Sequence, residues 1–140
     1  MIAIRPAGRA DIPDLVALDT IAAASPERRD AIAGWVVGGQ CHVAVQAGQV
    51  AGYAALTTSF FHAPCVEMLM VAAAARRSGV GLALLRHCTT LVGDGEKLWS
   101  STNRSNAPMQ ALFARAGFMP SGIVENLDDG DPELIYLYRG

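Results

Sequence analysis

The chain has 140 residues, of which 51% are hydrophobic and 17% charged, and its formal net charge is −2. This length suits one compact domain at residues 1–140, and the composition is far from the low-hydrophobicity, high-charge signature of disordered chains. A slightly acidic chain lacks the clustered Lys and Arg needed to wrap a nucleic-acid backbone, so we expect a small-molecule partner and no nucleic acid.

Hydrophobic periodicity and turn residues predict, in chain order, a strand, two helices, three strands, a helix, a strand, a helix and two strands. The predicted strands cover residues 2–5, 41–46, 49–57, 65–71, 98–102, 118–124 and 134–138. Ala47-Gly48 marks a hairpin between the second and third strands. The near-continuous apolar run at 65–71 is typical of a buried central strand. This order predicts an α/β domain built on a mixed sheet.

Four helices are predicted from capping residues and apolar spacing. The second helix starts at Ser25-Pro26, the third covers residues 79–91, and Ser105 or Asn106 caps the fourth. The first helix has Asp11 as its N-cap, and its inward face is formed by Leu15, Leu18, Ile21 and Ala22.

The cysteines and the N-terminal sequence bear on the compartment. Cys41, Cys65 and Cys88 are odd in number and lack CxxC spacing, which favours free thiols over a disulfide framework or a zinc site. The N-terminus has Pro and Asp where a signal peptide carries an apolar run, and no stretch reaches the roughly 18 apolar residues of a membrane span. We therefore expect a cytoplasmic protein with no metal and no membrane partner.

The segment between the fourth strand and the third helix is an expected anion site. It reads Arg76-Arg77-Ser78-Gly79-Val80-Gly81. Backbone N–H groups at a helix start have no intrahelical partner, the helix dipole is positive there, and glycines let phosphate oxygens approach the backbone. The segment contains no GxxxxGK[ST], and Leu84 stands where the dinucleotide GxGxxG needs its third glycine. The alternative is a solvated loop whose glycines serve a tight turn.

Two motifs together resemble the GNAT N-acetyltransferases. The acetyl-CoA loop of that family follows a central strand and has the form [RQ]xxGx[GA], which Arg76, Gly79 and Gly81 match. The second motif of the family places an Asn before a helix that closes with Gly-Phe. Here that stretch runs from Asn106 through Phe113 to Gly117-Phe118.

The resemblance implies a GNAT-type single domain with a mostly antiparallel mixed sheet, two splayed parallel strands and about four flanking helices. It also implies acetyl-CoA as co-substrate, with its pantetheine arm paired to the backbone of two residues at the end of the fourth strand. The implied cofactor-binding residues are Met70, Val71, Arg76, Arg77, Ser78, Gly79, Val80, Gly81, Asn106 and Phe113. A homodimer would be in keeping with the family.

The chain departs from the family pattern at the position of the general acid. Phe113 stands where many members carry a Tyr thought to protonate the departing CoA thiolate. Without this Tyr hydroxyl, either the reaction is slower or another group donates the proton to the thiolate. A thiolate whose thiol has a pKa of about 8.5 is also a tolerable leaving group without protonation. Tyr53, Tyr136 and Tyr138 are the alternative donors, and each also fits a purely structural place in the sheet or core.

Acetyl transfer to an amine requires a base for the amine proton and a donor that stabilises the tetrahedral intermediate. Glu67, among apolar residues of the fourth strand, is the first candidate base, acting through a water. The Val71 N–H is the candidate oxyanion donor. Glu67 could instead be paired with an Arg or exposed at the sheet margin. His62, in the loop before that strand, competes for the role of base, or is an ordinary loop residue.

We therefore expect an acetyl-CoA-dependent N-acetyltransferase that acts on a small primary amine by direct attack in a ternary complex. The family branch that acetylates ribosomal protein N-termini usually has Glu five residues before the motif Asn, where this chain has Ser101. Acceptor pockets in the family usually involve the first two helices, so the segment 20–29 and Trp35 are candidates. The alternative function is a noncatalytic acyl-CoA-binding regulatory module.

Overall fold

The computed structural model describes residues 1–140 and has seven strands and four α-helices. The strands are β1 Ile2–Pro6, β2 Cys41–Gln46, β3 Gln49–Phe60, β4 Ala63–Val71, β5 Lys97–Asn103, β6 Met119–Val124 and β7 Glu133–Arg139. The helices are α1 Ile12–Leu18, α2 Pro26–Val37, α3 Val80–Thr90 and α4 Ala107–Arg115. This confirms the predicted order of elements.

The seven strands form one mixed sheet in the order β1-β2-β3-β4-β5-β7-β6. Strands β4 and β5 are parallel, with Cys65 opposite Trp99, whereas β1–β2, β2–β3, β5–β7 and β6–β7 are antiparallel. The parallel pair is therefore confirmed, and its splay stays a prediction. No helix is long and apolar enough to cross a membrane.

The chain packs as two compact units. Unit 1 comprises Met1–Leu56 and Met68–Leu84, and unit 2 comprises Thr57–Glu67 and Leu85–Gly140. Strands β3 and β4 and helix α3 each contribute residues to both units. The single-domain organisation stays a prediction.

Unit 1 has its core between helices α1 and α2 and strands β2 and β3. Leu15, Ile32 and Tyr53 are fully buried there, and Met68 and Met70 of β4 pack against the same cluster. Helix α2 begins as predicted, because Pro26 is in its first turn and the Ser25 Oγ accepts the Arg28 N–H at 3.1 Å. The β2–β3 hairpin turns at Ala47-Gly48, whose φ angles are +53° and +76°, as a two-residue turn of this kind requires.

Helix α1 is shorter than its apolar spacing suggests. It ends at Leu18, and the predicted inward position of Ile21 is wrong because that side chain is 48% exposed. The cause is Asp19, whose Oδ1 accepts the backbone N–H groups of Ile21 at 2.9 Å and Ala22 at 3.2 Å. Such local side-chain bonds compete with the helical hydrogen bonds and end the helix.

Asp11 is the N-cap residue of α1, as predicted, but its side chain is used elsewhere. Asp11 precedes α1 but makes no capping bond to it. Its carboxylate instead accepts the Gly8 N–H at 2.8 Å and two bonds from the Arg5 guanidinium at 2.8 and 2.9 Å. The hydrogen bonds from Arg5 lower the pKa of the Asp11 carboxyl most. Burial raises this pKa, the hydrogen bond from the Gly8 N–H lowers it further, and the resulting pKa is about 2.

This pair predicts an acid-labile contribution to stability. A carboxyl whose pKa falls from 3.8 to about 2 on folding stabilises the fold above pH 3.8 and loses that contribution as the pH falls through 2. We expect Asp11→Asn to lower the melting temperature at pH 6, with a difference from wild type that shrinks between pH 4 and pH 2. Melting curves across this range check it, and a difference independent of pH would contradict it.

Unit 2 packs α4 on β7 through aromatic rings. The Phe113 ring stacks on Tyr136 at 4.4 Å and lies 5.2 Å from Phe118. Of the two predicted caps, Asn106 begins α4, since its Oδ1 accepts the Met109 N–H at 3.1 Å. The outermost strand, β6, is exposed along its whole length.

Candidate active site

The predicted anion loop adopts an irregular path between β4 and α3 in unit 1. After the short helical turn Ala73–Ala75, Arg76 is extended, Arg77 has a φ of +63° and Gly79 a φ of +88°. The Ala83 N–H donates to the Gly79 carbonyl at 3.0 Å, which is the first bond of the α3 ladder. The N–H groups of the first turn of α3 therefore have no partner inside the helix.

Positive charge surrounds this turn. Arg76 and Arg77 are both exposed, and neither is in a salt bridge. Arg77 has the left-handed backbone that favours glycine, with a φ of +63°. The Ser78 hydroxyl donates to the Ala75 carbonyl and to Gln46 Oε1 at 3.4 Å. An anion at this turn would therefore meet backbone N–H donors, two cationic side chains and a helix N-terminus.

The end of β4 is positioned by a close approach of β3 in unit 1. A Cβ on Gly52 would lie 2.7 Å from the Met70 carbonyl oxygen and 3.1 Å from Val80 Cγ1. Only glycine fits there without moving one of these atoms. Met70 and Val71 are half-buried, and Gly52 thus fixes the backbone at the predicted pantetheine position.

The surroundings of Glu67 differ from the prediction. The Glu67 side chain is exposed and is not enclosed by apolar residues. Its neighbours on the β3–β4 hairpin are the hydroxyl groups of Thr57 and Ser59. Glu67 Oε1 accepts hydrogen bonds from Thr57 Oγ1 and Ser59 Oγ, both at 2.8 Å. Cys65 Sγ lies 3.4 Å from the same Thr57 oxygen. Glu67 is therefore a fixed carboxylate open to solvent in unit 2, with no Arg partner.

His62 lies in a strained turn. It is exposed, and it shares the two-residue β3–β4 turn with Phe61, with φ angles of +65° and +51°. Two successive left-handed residues define the turn that Asn-Gly normally occupies. The Phe61 side chain is 87% exposed and contacts the Phe60 ring edge-on at 5.0 Å.

Replacing Phe61-His62 with Asn-Gly is expected to raise the free energy of unfolding by about 1 kcal/mol, because both new residues tolerate positive φ. Urea denaturation measures the change. Turnover is expected to stay within about twofold, since the base proposed below is not His62. A loss of stability would show that the Phe60–Phe61 contact outweighs the strain, and a large loss of turnover would favour His62 as the base.

The remaining predicted cofactor residues lie in unit 2. Asn106 is exposed, and its Oδ1 is engaged as the cap of α4. Phe113 is fully buried under Tyr136 and Phe118. Tyr136 is 7% exposed and stacked, so its place is structural. Tyr138 is half-buried against Phe118 at 5.5 Å.

A buried polar network in unit 1 lies outside both sequence motifs. Asp19 Oδ2 accepts the Tyr53 hydroxyl at 2.7 Å and Arg28 Nη1 at 2.9 Å, and the Asp19 side chain is fully buried. Burial raises the pKa of Asp19, but the hydrogen bonds from Tyr53, Ile21 and Arg28 outweigh it and leave the pKa lowered. The only sequence signal for this network is Asp19 itself, an acidic residue that directly follows the last residue of α1, Leu18.

Tyr53 is accordingly not a proton donor for the reaction. Burial raises its pKa, and the neighbouring Asp19 carboxylate raises it further. Burial likewise raises the pKa of the Cys41 and Cys88 thiols to about 12, so these two thiols are inert. No group of three or more His, Cys, Asp or Glu side chains is placed to hold a metal ion.

Comparison with known proteins identifies the family. Residues 10–118 match the model of the acetyltransferase (GNAT) family. The chain is similar to a GNAT-family acetyltransferase from Bacillus cereus ATCC 10987, with 32% identity, a TM-score of 0.91, and coverage of 99% of this chain and 97% of that one. A search of the curated proteins found no match.

Two further solved structures share the fold at lower identity. One is a ribosomal-protein-alanine N-acetyltransferase from Brucella melitensis, 24% identical, with a TM-score of 0.78 and coverage of 99% of both chains. The other is a candidate streptothricin acetyltransferase from Bacillus anthracis str. Ames in complex with acetyl-CoA. It is 16% identical, with a TM-score of 0.64 and coverage of 71% of this chain and 61% of that one. The family match and the Bacillus cereus structure show that this chain belongs to the GNAT family of acetyltransferases, as its two motifs predicted.

Proposed function

We propose that this acetyltransferase takes its acetyl group from acetyl-CoA and transfers it to the primary amine of a small molecule by direct attack in a ternary complex. The geometry of the Arg76–Gly81 loop carries the proposal. It joins unpartnered N–H groups of α3, two exposed guanidiniums and a left-handed glycine at one turn. That combination suits the diphosphate of CoA.

The proposed cofactor contacts follow the family motifs. The loop residues Arg76, Arg77, Ser78, Gly79, Val80 and Gly81 would hold the diphosphate. The backbone of Met70 and Val71 would pair with the pantetheine arm. Asn106 and Phe113 mark the second motif, Asn106 by ordering the start of α4 and Phe113 by filling the position of the usual Tyr.

The proposed reaction needs one base and one oxyanion donor. The neutral amine nitrogen attacks the thioester carbonyl carbon, the Val71 N–H stabilises the oxygen of the tetrahedral intermediate, and the C–S bond then breaks. Glu67 receives the amine proton through water, since its exposed carboxylate is open to solvent. The CoA sulfur leaves as thiolate, since Phe113 has no proton to give.

Two features of Glu67 support its role as base. Its carboxylate is held by two hydroxyl donors at 2.8 Å, which fixes its position, and it is exposed, which lets water reach it. Both hydroxyls donate to Oε1, so Oε2 has no protein partner and can accept the proton.

The test is release of CoA thiol by the purified protein in the presence of amines, amino acids and peptides, followed by mass detection of the acetylated product. We expect acetylation of at least one primary amine of low molecular mass. Acetylation of peptides alone would contradict the small-molecule acceptor. Tight binding of acetyl-CoA without turnover, unchanged by Glu67→Gln, would favour a noncatalytic acyl-CoA-binding module, which the missing hydroxyl at Phe113 makes the second candidate.

A further inference from the structure

The Asp19 network in unit 1 holds an arginine in one orientation. Asp19 accepts four hydrogen bonds: from the N–H groups of Ile21 and Ala22, from the Tyr53 hydroxyl and from Arg28 Nη1. All four lie between 2.7 and 3.2 Å. Because Asp19 is fully buried and tied to two elements, the guanidinium that it binds is fixed in place.

Arg28 uses only part of its hydrogen-bonding capacity. Its Nη1 donates to Asp19 Oδ2 at 2.9 Å and to Met68 Sδ at 3.6 Å, and its Nε and Nη2 make no hydrogen bond within the protein. The side chain is 16% exposed, and both nitrogens retain contact with solvent. The Nε and Nη2 donors lie on one edge of the guanidinium plane, which is the two-donor arrangement that matches the two oxygens of a carboxylate.

Arg28 also contacts β4, the strand that ends at the proposed reaction centre. Its contact is with Met68, two residues before Met70, and both residues lie in unit 1. Three residue steps of strand separate Met68 from Val71, which is about 10 Å. An anionic group on the open edge of Arg28 would therefore lie beside β4, three residue steps before the proposed oxyanion donor Val71.

We propose that Arg28 binds the carboxylate of the acceptor through Nε and Nη2, so that the acceptor is an amine that also carries a carboxylate, such as an amino acid. This inference rests on the proposed function and narrows its substrate class. Asp19 and Tyr53 act as positioning residues, because they hold Nη1 and leave the opposite edge free for the substrate. A carboxylate is favoured because one two-donor edge pairs with two oxygens in one plane.

The first test compares acceptors that differ only in this group. Each L-amino acid and each ω-amino acid of a panel is assayed beside its carboxamide and its decarboxylated amine. We expect kcat/KM for the best amino acid to exceed that of its carboxamide by about 100-fold, since hydrogen bonds to a charged group are worth about that factor. Equal turnover of the two would overturn the inference and leave the proposed function intact.

The second test changes the arginine. Arg28→Lys keeps the charge but lacks the two-donor edge, so the preference for the carboxylate is expected to fall to about tenfold or less, while the KM for acetyl-CoA is unchanged. Arg86→Lys, on the exposed face of α3, is the matched control and should keep the full preference. A preference unchanged in Arg28→Lys would contradict the assignment.

A binding measurement covers the case of a protein without turnover. The ¹⁵N-edited NMR signal of the Arg28 Nε–H is expected to shift on addition of amino acids from the panel and to stay in place on addition of their carboxamides. If the signal shifts and no acceptor is acetylated, the proposed function fails while the carboxylate site stands. If no panel member moves the signal, the Arg28 assignment fails.

Discussion

Replacing Asp19 with alanine is expected to lower the free energy of unfolding by about 3–5 kcal/mol, the range found when one partner of a buried ion pair is removed. The loss is large because Arg28, Tyr53 and two backbone N–H groups lose their shared acceptor in the interior of unit 1. Urea denaturation followed by tryptophan fluorescence measures it, since Trp35 lies in the same core.

The control for this substitution is Asp14→Ala. Asp14 is exposed on α1 and takes part in no salt bridge, so its removal is expected to change stability by no more than about 0.5 kcal/mol. Tyr53→Phe removes a single hydrogen bond to Asp19 and should cost about 1–2 kcal/mol. A cost below about 1 kcal/mol for Asp19→Ala would show that the network does not support the fold.

Replacing Glu67 with glutamine is expected to reduce kcat by about 100- to 10,000-fold, the usual contribution of a general base. The amide keeps the shape of the carboxylate and can still accept the Thr57 and Ser59 hydroxyls, but it cannot take a proton. Because Glu67 is exposed, the melting temperature should hardly change.

Glu125→Gln provides the control for this kinetic effect. Glu125 is an exposed carboxylate beyond β6, outside any salt bridge, and the same chemical change there should leave kcat unchanged. Turnover of Glu67→Gln within about threefold of wild type would exclude Glu67 as the base and return the role to another group.

The fold was predictable because local patterns and tertiary packing agree along most of the chain. Ser25-Pro26, Asn106-Pro108 and Ala47-Gly48 are capping and turn signals whose geometry the structure confirms. Where α1 is shorter than expected, a single side chain is the cause. Asp19 bonds to the backbone ahead of it and ends α1 early, an effect that apolar spacing cannot register.

The site was predictable only where it is contiguous in sequence. The loop at Arg76–Gly81 forms one motif, so its glycine conformation and its place at a helix start were foreseeable. The Asp19, Arg28 and Tyr53 network joins residues up to 34 positions apart, and a single sequence has no signal for such pairings. The hydroxyl partners of Glu67 depend in the same way on the register of the β3–β4 hairpin.

The central claim is that the Arg76–Gly81 loop binds the diphosphate of CoA, and calorimetric titration of two ligands tests it most directly. CoA carries the diphosphate, and pantetheine lacks it. A Cβ at Gly79 would contact only Ile2, at 4.0 Å, so Gly79→Ala alters the backbone without a clash. Gly48→Ala is the matched control, because Gly48 has a similar φ of +76° with nothing near its Cβ.

We predict that wild type binds CoA at least about tenfold more tightly than pantetheine, and that Gly79→Ala weakens CoA binding about five- to tenfold with little effect on pantetheine. Gly48→Ala should bind both ligands like wild type. Equal affinity of wild type for the two ligands, or CoA binding unchanged in Gly79→Ala, would contradict the assignment of the loop.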